Sequence, residues 1–166
     1  EIQTTVDRIN LDLIKVDSPY FGKILFHPYD SRTQKDLNVY IGKFAITDKE
    51  TSILLVTDWR APIANLYYQN SGPTDDVQFI APIGKRKGDL KQKRQFQISR
   101  ARIQNIYDAK TGNVAADEFL LSQLKARLGK KLTDIVSTIQ AQQNEIIREE
   151  INKPVVIQGV AGSGKT

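Results

Sequence analysis

The feature that most constrains this chain is its last stretch. Pro154-Val155-Val156-Ile157-Gln158 leads into Gly159-Val160-Ala161-Gly162-Ser163-Gly164-Lys165-Thr166. The β-branched run Val155-Val156-Ile157 reads as a short buried strand of the kind found in the middle of a parallel sheet. The residues after it match G-x-x-x-x-G-K-[ST], in the strand-to-loop context that gives this pattern its meaning. The backbone N–H groups from Gly159 through Ala161, Gly162, Ser163 and Gly164 would turn inward around a phosphate, with little side-chain bulk in the way. Lys165 would reach the β- and γ-phosphates of ATP as a point charge. The Thr166 hydroxyl would sit on Mg2+. Lys165 and Thr166 are therefore the candidate catalytic residues, and Thr166 is the candidate metal ligand. The bland alternative is a flexible glycine loop that matches by chance, and the preceding strand weighs against it.

A phosphate-binding loop also needs the helix after it, because that helix's first N–H groups and dipole help hold the anion. Here the sequence stops at Thr166. The expectation is an incomplete nucleotide-binding domain, with no acidic metal-binding strand, water-positioning residue or arginine finger. Such a piece alone should not hydrolyse ATP.

Composition excludes several classes. At 40% hydrophobic and 26% charged, 166 residues suffice for an ordinary core. No apolar run approaches a membrane span. With no Cys and one His, His27, neither a disulfide framework nor a thiolate zinc site is available. That usage fits a cytoplasmic protein. The net charge of +5 is uneven. Lys85, Arg86, Lys87, Lys91, Lys93, Arg94, Arg100 and Arg102 against Asp89 give that segment +7 and leave −2 elsewhere. Such a stripe suits nucleic acid or an acidic partner, and equally suits the solvated face of a hairpin.

Residues 1–16 read as a helix, because Ile2, Val6, Ile9 and Leu13 form an a/d seam. The helix is either a single amphipathic element or the stub of a coiled coil, and the narrow seam favours the stub. Asp17-Ser18-Pro19 ends it. Residues 17–112 read as β-rich. Strands are expected at Phe21–Phe26, Asn38–Ile46, Ser52–Trp59, Val77–Ile83, Leu90–Ser99 and Ile103–Tyr107, arranged as an antiparallel meander. Ala61–Gln69 is either a helical turn or a further strand, and Ser71-Gly72-Pro73 is a turn. Asp58-Trp59-Arg60-Ala61-Pro62-Ile63 offers a ligand cluster or, more simply, a buried indole beside a satisfied ion pair. Residues 113–166 read as helices leading into the nucleotide-binding domain. The first runs from Asp117 through Leu120, Leu121, Leu124 and Leu128 to a stop at Gly129. A second covers Leu132–Val136. A third covers Ala141–Ile151, with Ile146 and Ile147 inward.

Ile139-Gln140-Ala141-Gln142-Gln143 resembles the short motif that superfamily 1 helicases carry before the P-loop. Gln143 lies 22 positions before Lys165. A glutamine amide offers one donor and one acceptor, and so can hold adenine by its exocyclic amine and N7 together. Pro19-Tyr20-Phe21-Gly22-Lys23-Ile24, Tyr40-Ile41-Gly42-Lys43, Asp58-Trp59-Arg60-Ala61-Pro62-Ile63 with Leu66-Tyr67-Tyr68, Lys93-Arg94-Gln95-Phe96, and Asp134-Ile135-Val136-Ser137-Thr138-Ile139-Gln140 further resemble the front portion of the HelD family. These are UvrD/Rep-related helicase-like ATPases of Gram-positive bacteria that bind RNA polymerase. The likeness runs from about Ser18 onward. Lys23 stands where Arg is expected and Gln142 where Glu is expected, and neither is an inferred phosphate contact.

The resemblance implies an α+β fragment: a coiled-coil stub, a β-rich family-specific middle, and the start of a RecA-like motor domain near Gln143. It also implies ATP and Mg2+ as cofactors and RNA polymerase core as partner, in release and recycling of the stalled enzyme. Two alternatives stand beside that reading. One is a conventional helicase translocating on single-stranded DNA. The other is a non-enzymatic interaction module in the β-rich region.

Overall fold

The computed structural model describes residues 16–30, 35–109, 141–149 and 156–158. The expected helical stub, the helices between 113 and 140, and the loop residues Gly159, Ala161, Gly162, Ser163, Gly164, Lys165 and Thr166 lie outside these.

A seven-stranded sheet dominates. Its strands are β1 (Gly22–Pro28), β2 (Leu37–Gly42), β3 (Ile46–Thr47), β4 (Leu54–Asp58), β5 (Thr74–Ala81), β6 (Gly84–Ser99) and β7 (Arg102–Asp108). β1 is central, flanked by β2 and β6. Its burial alternates strictly, with Ile24 and Phe26 inward, which is the period of two a half-buried strand requires. β6 pairs with β1 along 88–95. Its other edge carries β5 along its first half and β7 along its second.

The sheet is not the antiparallel meander the spacing suggested. β2 and β4 run parallel, paired at Ile41–Thr57 and Gly42–Asp58. Parallel neighbours need a crossover, and here the intervening segment supplies it with β3, which folds back antiparallel on β4. β6 also begins at Gly84, well before the expected Leu90, so that the turn falls at residues 82–83 and not beyond Ile83 as part of a strand.

Between β4 and β5 the chain makes a 3-10 turn (Pro62–Ala64) and a short helix, α1 (Asn65–Gln69). This decides between the two readings of Ala61–Gln69. Pro62 sits at the start of the turn, where its missing N–H costs nothing. α1 buries three consecutive residues, Leu66, Tyr67 and Tyr68. A helix can bury adjacent residues only if it is covered on more than one side. The sheet covers one side, and α2 (Ala141–Arg148) covers another.

The core is Phe21, Ile24, Phe26, Ile41, Ala64, Leu66, Tyr67, Tyr68, Val77 and Leu90. Several separated motifs of the sequence meet in it. A Cβ on Gly22 would lie 2.7 Å from the Tyr67 ring, and one on Gly42 only 2.4 Å from the Pro19 carbonyl oxygen. Both positions therefore exclude a side chain. Tyr20 packs edge-on against Tyr40 and Phe96, and Phe21 against Tyr67. Among the described residues, no helix is long and apolar enough to cross a membrane.

Candidate functional site

Of the expected nucleotide-contacting residues, only Gln143 falls among the described ones. It lies in the first turn of α2 and is half-buried. What the structure adds is how that helix is held.

The side of α2 that faces the sheet domain is polar. Asn144 is fully buried. Arg148, one turn later on the same stripe, donates from Nε to Asn144 Oδ1 at 2.7 Å. Its Nη2 donates to the Trp59 carbonyl oxygen at 2.7 Å. Its Nη1 is shared between the carbonyl oxygens of Arg60 at 3.1 Å and Ala61 at 3.4 Å. Arg148 donates only, so Asn144 must turn its oxygen to Arg148 and its amide nitrogen the other way. That nitrogen donates to Asn65 Oδ1 at the start of α1. The guanidinium also lies over the Tyr68 ring, 6.0 Å from its centroid. Burial pulls the Arg148 pKa down, partly offset by Tyr68. The group stays charged, and carbonyl dipoles rather than a carboxylate receive it.

The isoleucines do not take the inward face assigned to them. Ile146 and Ile147 are exposed. The surface they would have met is a ring of backbone oxygens, which needs donors. The signal was present as Asn144 and Arg148 at i and i+4, but an apolar pair next to it was read as the buried stripe.

In the Asp58-Trp59-Arg60 cluster the ion pair of the plainer reading is present, but the indole is half-buried and not buried. Asp58 and Arg60 form a forked ion pair, Nε to Oδ1 at 3.0 Å and Nη2 to Oδ2 at 3.0 Å. Asp58 Oδ1 also receives the Arg60 backbone N–H at 2.8 Å, closing the turn on itself. Trp59 is half-buried, packed against the core and edge-on to Tyr68. What the cluster offers the rest of the chain is its three consecutive carbonyl oxygens.

The strand expected at Val155-Val156-Ile157 is not seen in its described part. Val156 and Ile157 are 90% and 47% exposed, and 156–158 form no ladder. A parallel central strand is stabilised by neighbours on both edges, and no described strand pairs with this one.

The basic stripe divides. Arg86 pairs with Asp30 at 2.6 Å, Lys91 with Asp36 at 3.4 Å, and Arg94 with Asp108 in a fork at 2.6 and 2.7 Å. Lys93 is half-buried, with its ammonium against α1. Its Nζ donates to the Asn70 carbonyl at 2.8 Å, at the helix C-terminus, and lies 4.6 Å from the Tyr67 centroid. Burial pulls its pKa down to about 8. Half of the stripe is thus engaged within the fold, Arg86, Lys91 and Arg94 in surface ion pairs and Lys93 beneath a ring. Lys85 and Lys87 are exposed at the β5–β6 tip, beside exposed Ile80 and Ile83, and Arg100 and Arg102 are exposed at the β6–β7 turn. Among the described residues, no group of three His, Asp or Glu side chains is placed to hold a metal.

The family model for the N-terminal domain of DNA helicase IV HelD matches residues 4–124. A search of curated proteins gives no match. The matched span includes the sheet, α1 and every motif from Pro19 to Phe96 that meets around Tyr67, and by that match the chain belongs to the HelD family of helicase-like proteins.

Proposed function

We propose that this chain is the front portion of a cytoplasmic, ATP-dependent superfamily 1 motor that releases and recycles RNA polymerase. The family match over residues 4–124 carries the reading. The nucleotide part rests on the P-loop pattern from Gly159 to Thr166 and on Gln143, which lie beyond the matched span. In this reading Lys165 and Thr166 hold the phosphates and Mg2+, and Gln143 holds the adenine edge. The coiled-coil arm at the N-terminus and a complete RecA-like domain belong to the same proposal. A conventional translocating DNA helicase is the second reading, which the exposed Lys85, Lys87, Arg100 and Arg102 support and the engagement of Arg86, Lys91, Lys93 and Arg94 weakens.

The test is ATP hydrolysis by the full-length protein, with RNA polymerase core and with single-stranded DNA added separately. Stimulation by polymerase with little effect of DNA is expected. Stimulation by DNA alone, falling steeply with salt, would replace this reading with the helicase one. Lys165→Ala should weaken ATP binding by about 1.5–3 kcal/mol, on the scale of a charge-assisted hydrogen bond. It should lower hydrolysis far more, because positioning and charge stabilisation dominate phosphoryl transfer. Wild-type turnover in that variant would overturn the site.

A further inference from the structure

We infer that Asn65, Asn144, Arg148 and the carbonyl oxygens of Trp59–Ala61 form a latch that sets the register of the helix presenting Gln143, making the β-sheet domain part of the adenine-recognition apparatus. The inference rests on the reading of Gln143 given above.

Each residue turns an α-helix by about 100° and advances it about 1.5 Å. A one-residue slip of α2 would bring Gln143 or Glu145 to the position of Asn144, and would move the Gln143 amide out of reach of any fixed ligand. An apolar contact surface tolerates such slips, because dispersion and burial are non-directional. This surface is different. Asn144 is enclosed, receives Arg148 Nε at 2.7 Å, and gives its own N–H to Asn65. Arg148 divides its remaining donors among three consecutive carbonyls at 2.7, 3.1 and 3.4 Å. No other residue type fits that set. Lysine has donors but no planar fork, and it could not serve the asparagine and the turn together. Any slip leaves buried polar atoms unpaired, which is the costly case.

The second link is continuity. Gln143 is the immediate neighbour of Asn144, so its backbone is fixed wherever Asn144 is fixed. The turn that receives Arg148 is itself closed by Asp58, whose carboxylate holds Arg60 N–H at 2.8 Å, and it follows directly from β4. The path from sheet to Gln143 is therefore β4, turn, Arg148, Asn144. Arg148 and Asn65 act as positioning residues. In this reading they act through Asn144 and not on the nucleotide itself.

The experiment is equilibrium displacement of a fluorescent ATP analogue from the full-length protein by ATP and by GTP. The readout is the ratio of the two affinities. Gln143→Ala should reduce the preference for ATP about tenfold, the scale of one two-pronged amide–adenine contact. Arg148→Met and Arg148→Lys should each reduce it by a similar factor while the sheet still unfolds at its wild-type midpoint. Asn65→Asp keeps an acceptor for Asn144 and should preserve the preference, whereas Asn65→Leu should lose it. A merely structural role would weaken ATP and GTP alike and leave the ratio unmoved. If Gln143→Ala loses the preference but both Arg148 variants keep it, the latch is overturned and the adenine reading stands. If Gln143→Ala keeps it, the adenine reading falls and takes the latch's proposed role with it.

Discussion

Tyr67 and Tyr68 are neighbours on one five-residue helix, and they serve opposite kinds of interface. Tyr67 is the apolar centre of the sheet domain, with Phe21 edge-on, Gly22 laid against its ring and Lys93 beneath it. Tyr68 faces the latch, between the Trp59 indole and the Arg148 guanidinium. Burial pushes both phenol pKa values up, and at Tyr68 the Arg148 charge pulls partly back. The contrast teaches what each contact is for. The Tyr67 side is held by area and close packing, so it supplies strength. The Tyr68 side is held by directed hydrogen bonds to backbone oxygens, whose net worth is modest but whose geometry admits one register. A sheet domain that must survive, and a helix that must be aimed, are thus joined through one short helix.

Truncating the first tyrosine should break the comparison hardest. Tyr67→Ala is expected to cost about 3–5 kcal/mol, by lost burial and the cavity left behind. Hydrogen exchange at β1 amides, measured in the full-length protein, reads it. A loss below about 1 kcal/mol would mean that the packing around Gly22 and Phe21 is not where the strength lies.

Lys93 sharpens the same side through pH. Its folded pKa of about 8 lies below its ordinary 10.5, because burial disfavours the charge. Below about pH 8 the folded protein carries the partly desolvated charge and bears the full penalty. As pH rises from about 8 towards 10.5, the folded state loses the proton while the unfolded state keeps it. Stability should therefore rise through that window, by up to about 1.4 kcal/mol per pH unit. Lys93→Met should remove the rise. The difference between the two urea-unfolding curves across pH 8–10 measures it, and parallel curves would refute the desolvated-cation assignment.

The smallest effect is expected at the β6–β7 turn. Arg100 and Ala101 have φ of 53° and 57°, an uncommon conformation for residues with a Cβ. Asp17 steadies them, its carboxylate receiving Arg100 N–H at 2.5 Å and its carbonyl receiving Ala101 N–H at 2.9 Å. This ties the segment entering from the N-terminus to the hairpin. Replacing the pair by Asn-Gly should stabilise the turn by about 1 kcal/mol. No gain in the unfolding midpoint would mean that the Asp17 contacts already offset the backbone cost.

Local pattern made much of the sheet readable. β1 follows from the β-branched and aromatic residues of Phe21–Phe26, and the break at Ser71-Gly72-Pro73 follows from turn chemistry. The first half of β6 was not readable, because Lys85 to Lys91 is charged and charged runs are poor strand formers. It is a strand because β1 and β5 pair with it on both edges, a fact no local window contains. The parallel β2–β4 pair escaped for the same reason, since spacing alone does not fix strand direction. At the candidate site, Gln143 was singled out by its distance from Lys165. Arg148 was not, because its partners are backbone oxygens 87 to 89 residues away, and a carbonyl carries no side-chain signature.

The central claim is that α2 and the sheet domain are held in one register by Arg148. Hydrogen exchange across 141–149 in the full-length protein, wild type against Arg148→Met, tests it most directly. The account predicts that α2 amides exchange about tenfold or more faster in the variant, on the scale of a lost charged hydrogen bond, while β1, β2 and β6 amides keep their wild-type protection. Unchanged exchange in α2 would show that the helix is held by something other than the latch.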